Sequence, residues 1–180
     1  MTQSFSRLRT KYDNVSVALH WLTVVIVLFQ FASSLLWEGT PRPTHRALVQ
    51  AHMSFGVVLT AIILFRLAWR ASPANRVAPA ARGLQGLLTL AVHFGLYAML
   101  AVQAVLGFVL RWSEGRPMFF FGLTFDGPIG RTTHALHEAF GEVHEYLGWA
   151  IILVAAGHAA MAIFHQVVAR DGLMRRMMPG

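Results

Sequence analysis

The sequence predicts an all-α fold, a bundle of four transmembrane helices that forms one domain over residues 1–180. Hydrophobic residues make up 56% of the chain and charged residues only 13%, and the mean hydropathy is +0.52. These values are far from those of a soluble domain. Four apolar stretches are each long enough, at about 20 residues, to cross a bilayer. Cysteine is absent, which excludes disulfides, thiolate metal sites and cysteine-held iron–sulfur clusters.

The four predicted helices span about residues 15–37, 47–69, 84–110 and 141–168. Tryptophans near the helix ends, as expected at headgroup level, are Trp37, Trp69, Trp112 and Trp149. The first apolar run is longer than that of a cleavable signal peptide, so we expect the first helix to serve as its own insertion signal. No repeat is evident, and residues 111–140 form the only long linker.

The basic residues predict the orientation in the membrane. With four helices, both termini and the linker 70–83 lie on one side, and that side carries ten of the 15 Lys and Arg residues. An excess of Lys and Arg marks the cytoplasmic side, so we expect both termini in the cytoplasm of a bacterium and the bundle in its inner membrane. Because these residues are scattered singly between apolar runs, the net charge of +7 does not indicate nucleic-acid binding.

Histidines inside the predicted helices are the main candidate functional residues. Ionisable side chains at membrane depth are functional candidates because they are costly to leave unpaired. In the fourth helix, His144 and His158 are 14 residues apart and share one face within about 40°. By depth, His52 and His144 lie near the outer surface, while His20 and His158 lie near the inner surface. Depth alone does not decide whether His158 or His165 is the partner of His20.

Two such pairs favour two haems b, held between the helices with histidines as axial ligands of the iron. Small residues precede the three histidines of the fourth helix by three positions, at Gly141, Ala155 and Ala162, and leave room for a flat macrocycle. Filling both axial positions suits electron transfer rather than direct substrate binding at the iron. The alternative for any one histidine is a hydrogen-bonded packing role, but four that pair by depth favour haem.

Eight short motifs resemble the bacterial cytochrome b561 family of dihaem membrane proteins, some of which act as superoxide oxidase. They are ALHWL (18–22), QAHMSFG (50–56), FRLAWR (65–70), HFGLY (93–97), EGRPMFFFGL (114–123), VHEYLG (143–148), GHAAMAIFH (157–165) and LMRRMMP (173–179). The resemblance covers nearly the whole chain. It implies haem ligation by the pairs His20/His158 and His52/His144, and so favours His158 over His165. It also implies electron entry at a periplasmic haem and delivery to a quinone near the cytoplasmic side.

Further candidate residues lie near the two surfaces. Near the inner surface, four could contact a quinone or the haem propionates: His93, His165, Arg70 and Arg76. His93 has an equal claim as a hydrogen-bonding partner of a propionate or a backbone carbonyl. The outer linkers carry cations that could meet lipid phosphates or propionates, or attract an anion such as superoxide: Arg42, Arg46, Arg111, Arg116 and Arg131. Three histidines are expected at the surface, namely His45, His134 and His137, and three carboxylates at the start of the fourth helix, namely Glu138, Glu142 and Glu145.

The function predicted from these patterns is an oxidoreductase of superoxide:ubiquinone type, a dihaem cytochrome b that carries electrons from a periplasmic donor to ubiquinone. Its partners would be membrane lipid, a quinone and a small anionic donor such as superoxide. One alternative is an electron-transfer subunit that links a partner dehydrogenase to the quinone pool. Another is a histidine-lined metal or proton transporter. The lack of Asp and Glu in the first three predicted helices argues against it.

Overall fold

Four long helices dominate the protein, whose computed structural model describes residues 11–72, 77 and 83–178. They are α1 (Asn14–Leu36), α2 (Arg42–Ala71), α3 (Gly83–Ser113) and α4 (His134–Phe164). Each is long and apolar enough to cross a membrane. The predicted fold class, an all-α bundle of four apolar helices, is therefore confirmed.

Helix α4 begins at His134 rather than near Gly141, because the polar segment before the apolar run is also helical. Thr133 caps it, its hydroxyl accepting a bond from the Leu136 N–H at 3.4 Å. Hydropathy alone places a polar segment outside the helix, although a capped helix can extend beyond the bilayer. The first turn contains no acidic residue. Glu138 directly follows the first turn and contacts His134 at 3.1 Å, whereas the expectation that Glu142 and Glu145 mark the helix start is wrong.

The helices pack as two neighbouring pairs, α1 against α2 and α3 against α4, with α2 also contacting α3. Large side chains such as Val25, Leu64 and Leu153 are more than 60% exposed. Such exposure is costly in water but suits a lipid environment, where helices satisfy their own backbone hydrogen bonds. Among the described residues, the buried apolar ones are Val17, Ile26, Ile62, Ile63, Met118 and Ile151.

A small β-hairpin occupies the middle of the linker between α3 and α4. Its strands are β1 (Met118–Phe120) and β2 (Leu123–Phe125), paired antiparallel. Met118 is only 4% exposed, and the N–H of Phe121 donates to the buried Ser54 hydroxyl of α2 at 3.0 Å. Phe121 has a φ of 44°, an uncommon value for a residue with a side chain. This part of the linker is therefore folded onto α2 rather than surrounded by solvent.

The two ends of the described chain meet at one end of the bundle. The backbone N–H of Tyr12 donates to the Arg176 carbonyl at 3.4 Å, and the Trp21 indole donates to the Met177 carbonyl at 2.9 Å. An even number of crossings requires this arrangement. We call this end the inner end, and the end that holds the hairpin the outer end.

Candidate functional site

The rings of His52 and His144 face each other near the outer end of the bundle. Their centroids lie 6.4 Å apart and their planes are inclined by 67°. His52 comes from α2 and His144 from α4, and both side chains are half-buried. The structure thus brings together the two histidines that depth assigned to the outer pair.

Hydrogen bonds to α1 fix the protonation of the His52 ring. Its Nδ1 lies 3.2 Å from the Gln30 carbonyl oxygen and 3.2 Å from the Ser33 hydroxyl oxygen. Because a carbonyl can only accept, Nδ1 carries the hydrogen, which leaves Nε2 with a free lone pair. A backbone carbonyl that accepts from one ring nitrogen while the other binds a metal is the usual environment of a metal-ligating histidine.

The His144 ring is placed by close packing instead. Its Nδ1 is buried and has no hydrogen-bond partner within the described part of the chain. A Cβ on Gly107 of α3 would lie 3.4 Å from Cε1 of this ring. The glycine therefore lets α3 approach the imidazole closely and restricts its orientation.

Two glutamines, whose role the sequence patterns did not indicate, each join the two helices of one pair at the outer site. The Gln30 amide donates to the carbonyl of His52 at 3.0 Å, and the Gln103 amide donates to the carbonyl of His144 at 2.9 Å. One turn further lie Gly56 and Gly148, where a Cβ would lie 3.1 and 3.5 Å from these amide nitrogens. The signal was present in the sequence, since a lone glutamine inside a membrane segment needs a polar partner.

These contacts reveal an internal repeat, which corrects the expectation that the chain has none. Histidine and glutamine are ten residues apart in α1 (His20, Gln30) and in α3 (His93, Gln103). The pattern His-x6-His-x3-Gly occurs in α2 (His45, His52, Gly56) and in α4 (His137, His144, Gly148). The apolar residues between these positions differ in the two halves, so the low overall sequence similarity hides the pattern. The pair α3–α4 repeats the polar plan of the pair α1–α2.

A second histidine group lies nearer the inner end. The rings of His93 and His158 contact each other with centroids 5.2 Å apart and planes inclined by 66°. His20 is close enough to both rings for electrostatic interaction. The structure thus groups His158, rather than His165, with His20, and it adds His93 to them.

His165 lies at the inner end of α4, where its side chain is only 14% exposed. Its Nδ1 bonds the Asp171 carboxylate at 2.5 Å, and its Nε2 lies 3.4 Å from the Gln85 amide nitrogen. A π-helical turn spans His165–Ala169, and Arg170 follows with a φ of 51°. π-helical turns occur frequently at functional sites.

The four residues predicted to contact a quinone or the propionates do not form one cluster in the described structure. Arg70 is exposed and interacts electrostatically with His93. Arg76 lies outside the described residues. His93 and His165 were expected to share one quinone or propionate site, but their side chains have different neighbours, His158 for the first and Asp171 with Gln85 for the second.

Two cations of the long outer linker are paired with one carboxylate. Glu114 binds Arg111 at 2.9 Å and Arg116 at 3.2 Å. Arg111 also donates to the Pro117 carbonyl at 3.0 Å, so it holds the start of the hairpin. One of the positive charges expected here is therefore compensated locally.

The three histidines expected at the surface have different environments. His45 and His134 are exposed. His137 is half-buried, and its Nδ1 contacts the buried Ser113 hydroxyl at 2.9 Å. The expected surface position is therefore correct for His45 and His134 but only partly correct for His137.

The outer pair fits a haem better than a metal ion held by side chains alone. Two imidazoles that bind opposite sides of one metal, each at about 2 Å, have ring centroids about 6 Å apart, close to the 6.4 Å observed. Within the described residues, no group of three or more His, Asp or Glu side chains could hold a metal ion. A haem needs only two protein ligands, because its own nitrogens fill the other positions.

Comparison with known proteins gives a consistent result over nearly the whole chain. The family model described as prokaryotic cytochrome b561 matches residues 11–180. Similar proteins include "Cytochrome b561 homolog 2" of Escherichia coli K12, 29% identical over 97% of this chain and 95% of its own length. "Probable superoxide oxidase CybB" of Yersinia pestis is 22% identical over 94% of this chain and 96% of its own length.

Proposed function

Because the chain belongs to the prokaryotic cytochrome b561 family, and is thus a multi-pass membrane cytochrome b that uses haem b for electron transfer, we propose that it is a dihaem superoxide:ubiquinone oxidoreductase. The observation that carries the proposal is the facing pair His52 and His144, with His52 Nδ1 bonded to the Gln30 carbonyl. This pair would supply both axial ligands of an outer haem, while His20 and His158 would supply those of an inner one.

Bound haem supplies reversible one-electron oxidation and reduction of its iron. The chain's own residues orient and enclose it. The Gln30 carbonyl and the Ser33 hydroxyl keep the hydrogen of His52 on Nδ1, so that Nε2 is free for the iron. The two glutamines fix the backbone beneath each outer histidine, and Gly107 leaves room for the His144 ring.

The proposed orientation puts the inner end, with both termini, in the cytoplasm and the hairpin on the periplasmic side of a bacterial inner membrane. The charge asymmetry supports it, since nine of the 15 basic residues fall in the terminal segments and the linker 70–83, against five at the outer end. The contacts of Tyr12 and Trp21 with Arg176 and Met177 join the two ends of the described chain at that end.

In the proposed reaction, two superoxide anions each lose one electron and leave as dioxygen. One ubiquinone takes up these two electrons with two protons from the cytoplasm and becomes ubiquinol. The periplasmic surface would attract the anionic donor through three exposed arginines of the outer end, Arg42, Arg46 and Arg131. None of the three forms an ion pair with a carboxylate of the described residues, so their charges can act on an approaching anion.

The quinone is proposed to bind where α4 ends, beside His165. This histidine can move a proton at Nδ1, because Asp171 accepts its bond there. Hydrogen bonding from the Leu173 N–H, assisted by His165 and opposed by partial desolvation, lowers the pKa of Asp171. The carboxylate is therefore ionised at neutral pH and can hold the imidazole in one orientation.

The test is superoxide oxidation by the purified protein alone, with a soluble ubiquinone analogue. We expect rapid loss of superoxide and formation of one quinol for every two superoxide ions consumed. A protein that holds its haems but is inert until a dehydrogenase is added would contradict the proposal and favour the electron-transfer subunit. The Ser34→Ala variant is a suitable control, since the Ser34 hydroxyl bonds only the Phe31 carbonyl of its own helix among the described residues.

A further inference from the structure

The internal repeat places an arginine where its copy has a candidate haem ligand. In α4, His158 follows His144 by 14 residues, and in α2 the residue 14 positions after His52 is Arg66. The two helices share the other polar positions of the repeat. Arg66 is therefore the counterpart of His158, brought to the same depth by an equal rise of about 1.5 Å per residue.

The surroundings of Arg66 place its charge between α1 and α3. Its guanidinium donates to the Thr23 hydroxyl at 2.7 Å and to the Leu19 carbonyl at 3.5 Å. On the other side it lies 5.4 Å from the centre of the Tyr97 ring. Leu19 precedes His20 directly, and Tyr97 follows His93 by one turn. The charge thus lies beside both of these histidines, with which it interacts electrostatically.

No carboxylate compensates this charge within the described residues, where the ion pairs join other side chains. Helices α1, α2 and α3 contain no Asp or Glu. A cation at membrane depth is costly unless it has a partner that benefits from it. The group proposed between His20 and His158 is such a partner, because reduction lowers its net charge by one.

We infer that Arg66 raises the midpoint potential of the inner haem, and of that haem alone, so that electrons favour the inner end over the outer end. A fixed positive charge stabilises the reduced state of a neighbouring redox group, most strongly where the dielectric constant is low. At the equivalent positions of the repeat, α4 has the proposed ligand His158, whereas α2 has Arg66, whose charge lies beside the proposed inner haem. The inference rests on the proposed inner haem and gives the proposed direction of electron flow a physical cause.

The test is a spectroelectrochemical titration of the purified dihaem protein and its Arg66 variants. In R66Q we expect the reduced-to-oxidised ratio of the inner haem, at a fixed applied potential, to fall at least tenfold. This corresponds to a midpoint potential lowered by about 59 mV for a one-electron couple. The outer haem should keep its potential. Assignment of the two components follows from H144A, which removes the outer one. R175Q is the matched control, because it removes an exposed arginine at the same end and should shift neither haem.

R66K keeps the inference testable if R66Q does not assemble. Lysine retains the charge but lacks the planar fork that reaches Thr23 and Tyr97, so its inner haem should shift downward by less than in R66Q. An unchanged or raised inner potential, or equal shifts of both haems, would overturn the inference. A wild-type protein with a single haem would instead remove the proposed function itself, so the two failures are distinguishable.

Discussion

The His52 ring faces the His144 ring across the gap between the two helix pairs, and each histidine has its backbone carbonyl bonded by a glutamine of the preceding helix. The two halves of the chain thus contribute one imidazole each to the outer site. The halves differ around the ring itself. His52 Nδ1 has two polar neighbours, while His144 Nδ1 has no hydrogen-bond partner within the described residues.

Removing the Ser33 hydroxyl should weaken haem binding at the outer site. Ser33→Ala deletes one of the two acceptors of His52 Nδ1–H, and loss of such a partner typically lowers metal affinity 10–100-fold. Because the Gln30 carbonyl remains, we expect about a tenfold faster transfer of one haem to an acceptor protein. Ser34→Ala should transfer haem at the wild-type rate. Equal rates in the two variants would argue against this role of Ser33.

A methyl group at Gly127 should destabilise the outer end of the bundle. A Cβ there would overlap the indole ring of Trp112, whereas a Cβ on Gly130 would meet no atom within 4 Å. Overpacking of this kind costs about 1–3 kcal/mol. Thermal unfolding in detergent should therefore show a lowered Tm for Gly127→Ala and little change for Gly130→Ala. Indistinguishable Tm values would mean that Trp112 moves away freely.

Asp13 should make the stability of the inner end depend on pH. Partial burial opposes ionisation of this carboxyl, but bonds from the Ser16 hydroxyl and N–H and from the Trp69 indole lower its pKa below the ordinary 3.8. A lowered folded-state pKa adds stability that is complete above the ordinary value and is lost as pH falls through the folded value.

Asp13 is the N-cap of α1, so Asp13→Ala should cost about 1 kcal/mol, as for other helix caps, at pH values well above 3.8. The Tm difference from wild type should be constant there and shrink in more acidic buffer. Asp126→Ala, at an exposed carboxyl of the hairpin end, serves as the control. A difference that grows on acidification would show that the sign is wrong.

Neutralising Glu114 should accelerate superoxide oxidation if the proposed donor is right. Glu114 pairs with Arg111 and Arg116, so E114Q removes one negative charge and leaves both arginines without this carboxylate. We expect a severalfold higher rate at about 0.01 M salt and convergence with wild type at about 1 M, where screening is nearly complete. E138Q removes a charge paired with His134 and serves as the matched control. A rate independent of salt in both proteins would mean that the donor is not steered by charge.

The helices and the grouping of the histidines followed from simple physical rules. Length and hydropathy predict four crossings, and alternating entry into the membrane brings His52 near His144 and His20 near His158. Depth could not choose between His158 and His165, because depth ignores the π-helical turn and the Asp171 contact that hold the His165 ring at the inner end of α4, away from His20.

Contacts between distant side chains could not be predicted in the same way. The roles of Gln30 and Gln103 depend on which helices are neighbours, and composition does not specify neighbours. The hairpin on Ser54 depends on the positive φ of Phe121, which no local pattern indicated. The repeat is difficult to detect in the sequence because only a few polar positions recur, and the apolar residues between them differ in the two halves.

The most direct test of the account is a haem count per chain, with a reduced-minus-oxidised spectrum, for wild type, H144A and H45A. We expect two low-spin b-type haems in wild type and one in H144A. H45A should keep both, because His45 is exposed and bonds the Trp37 carbonyl one heptad from His52. A wild-type protein without low-spin haem b, or an H144A variant that keeps two, would contradict the account.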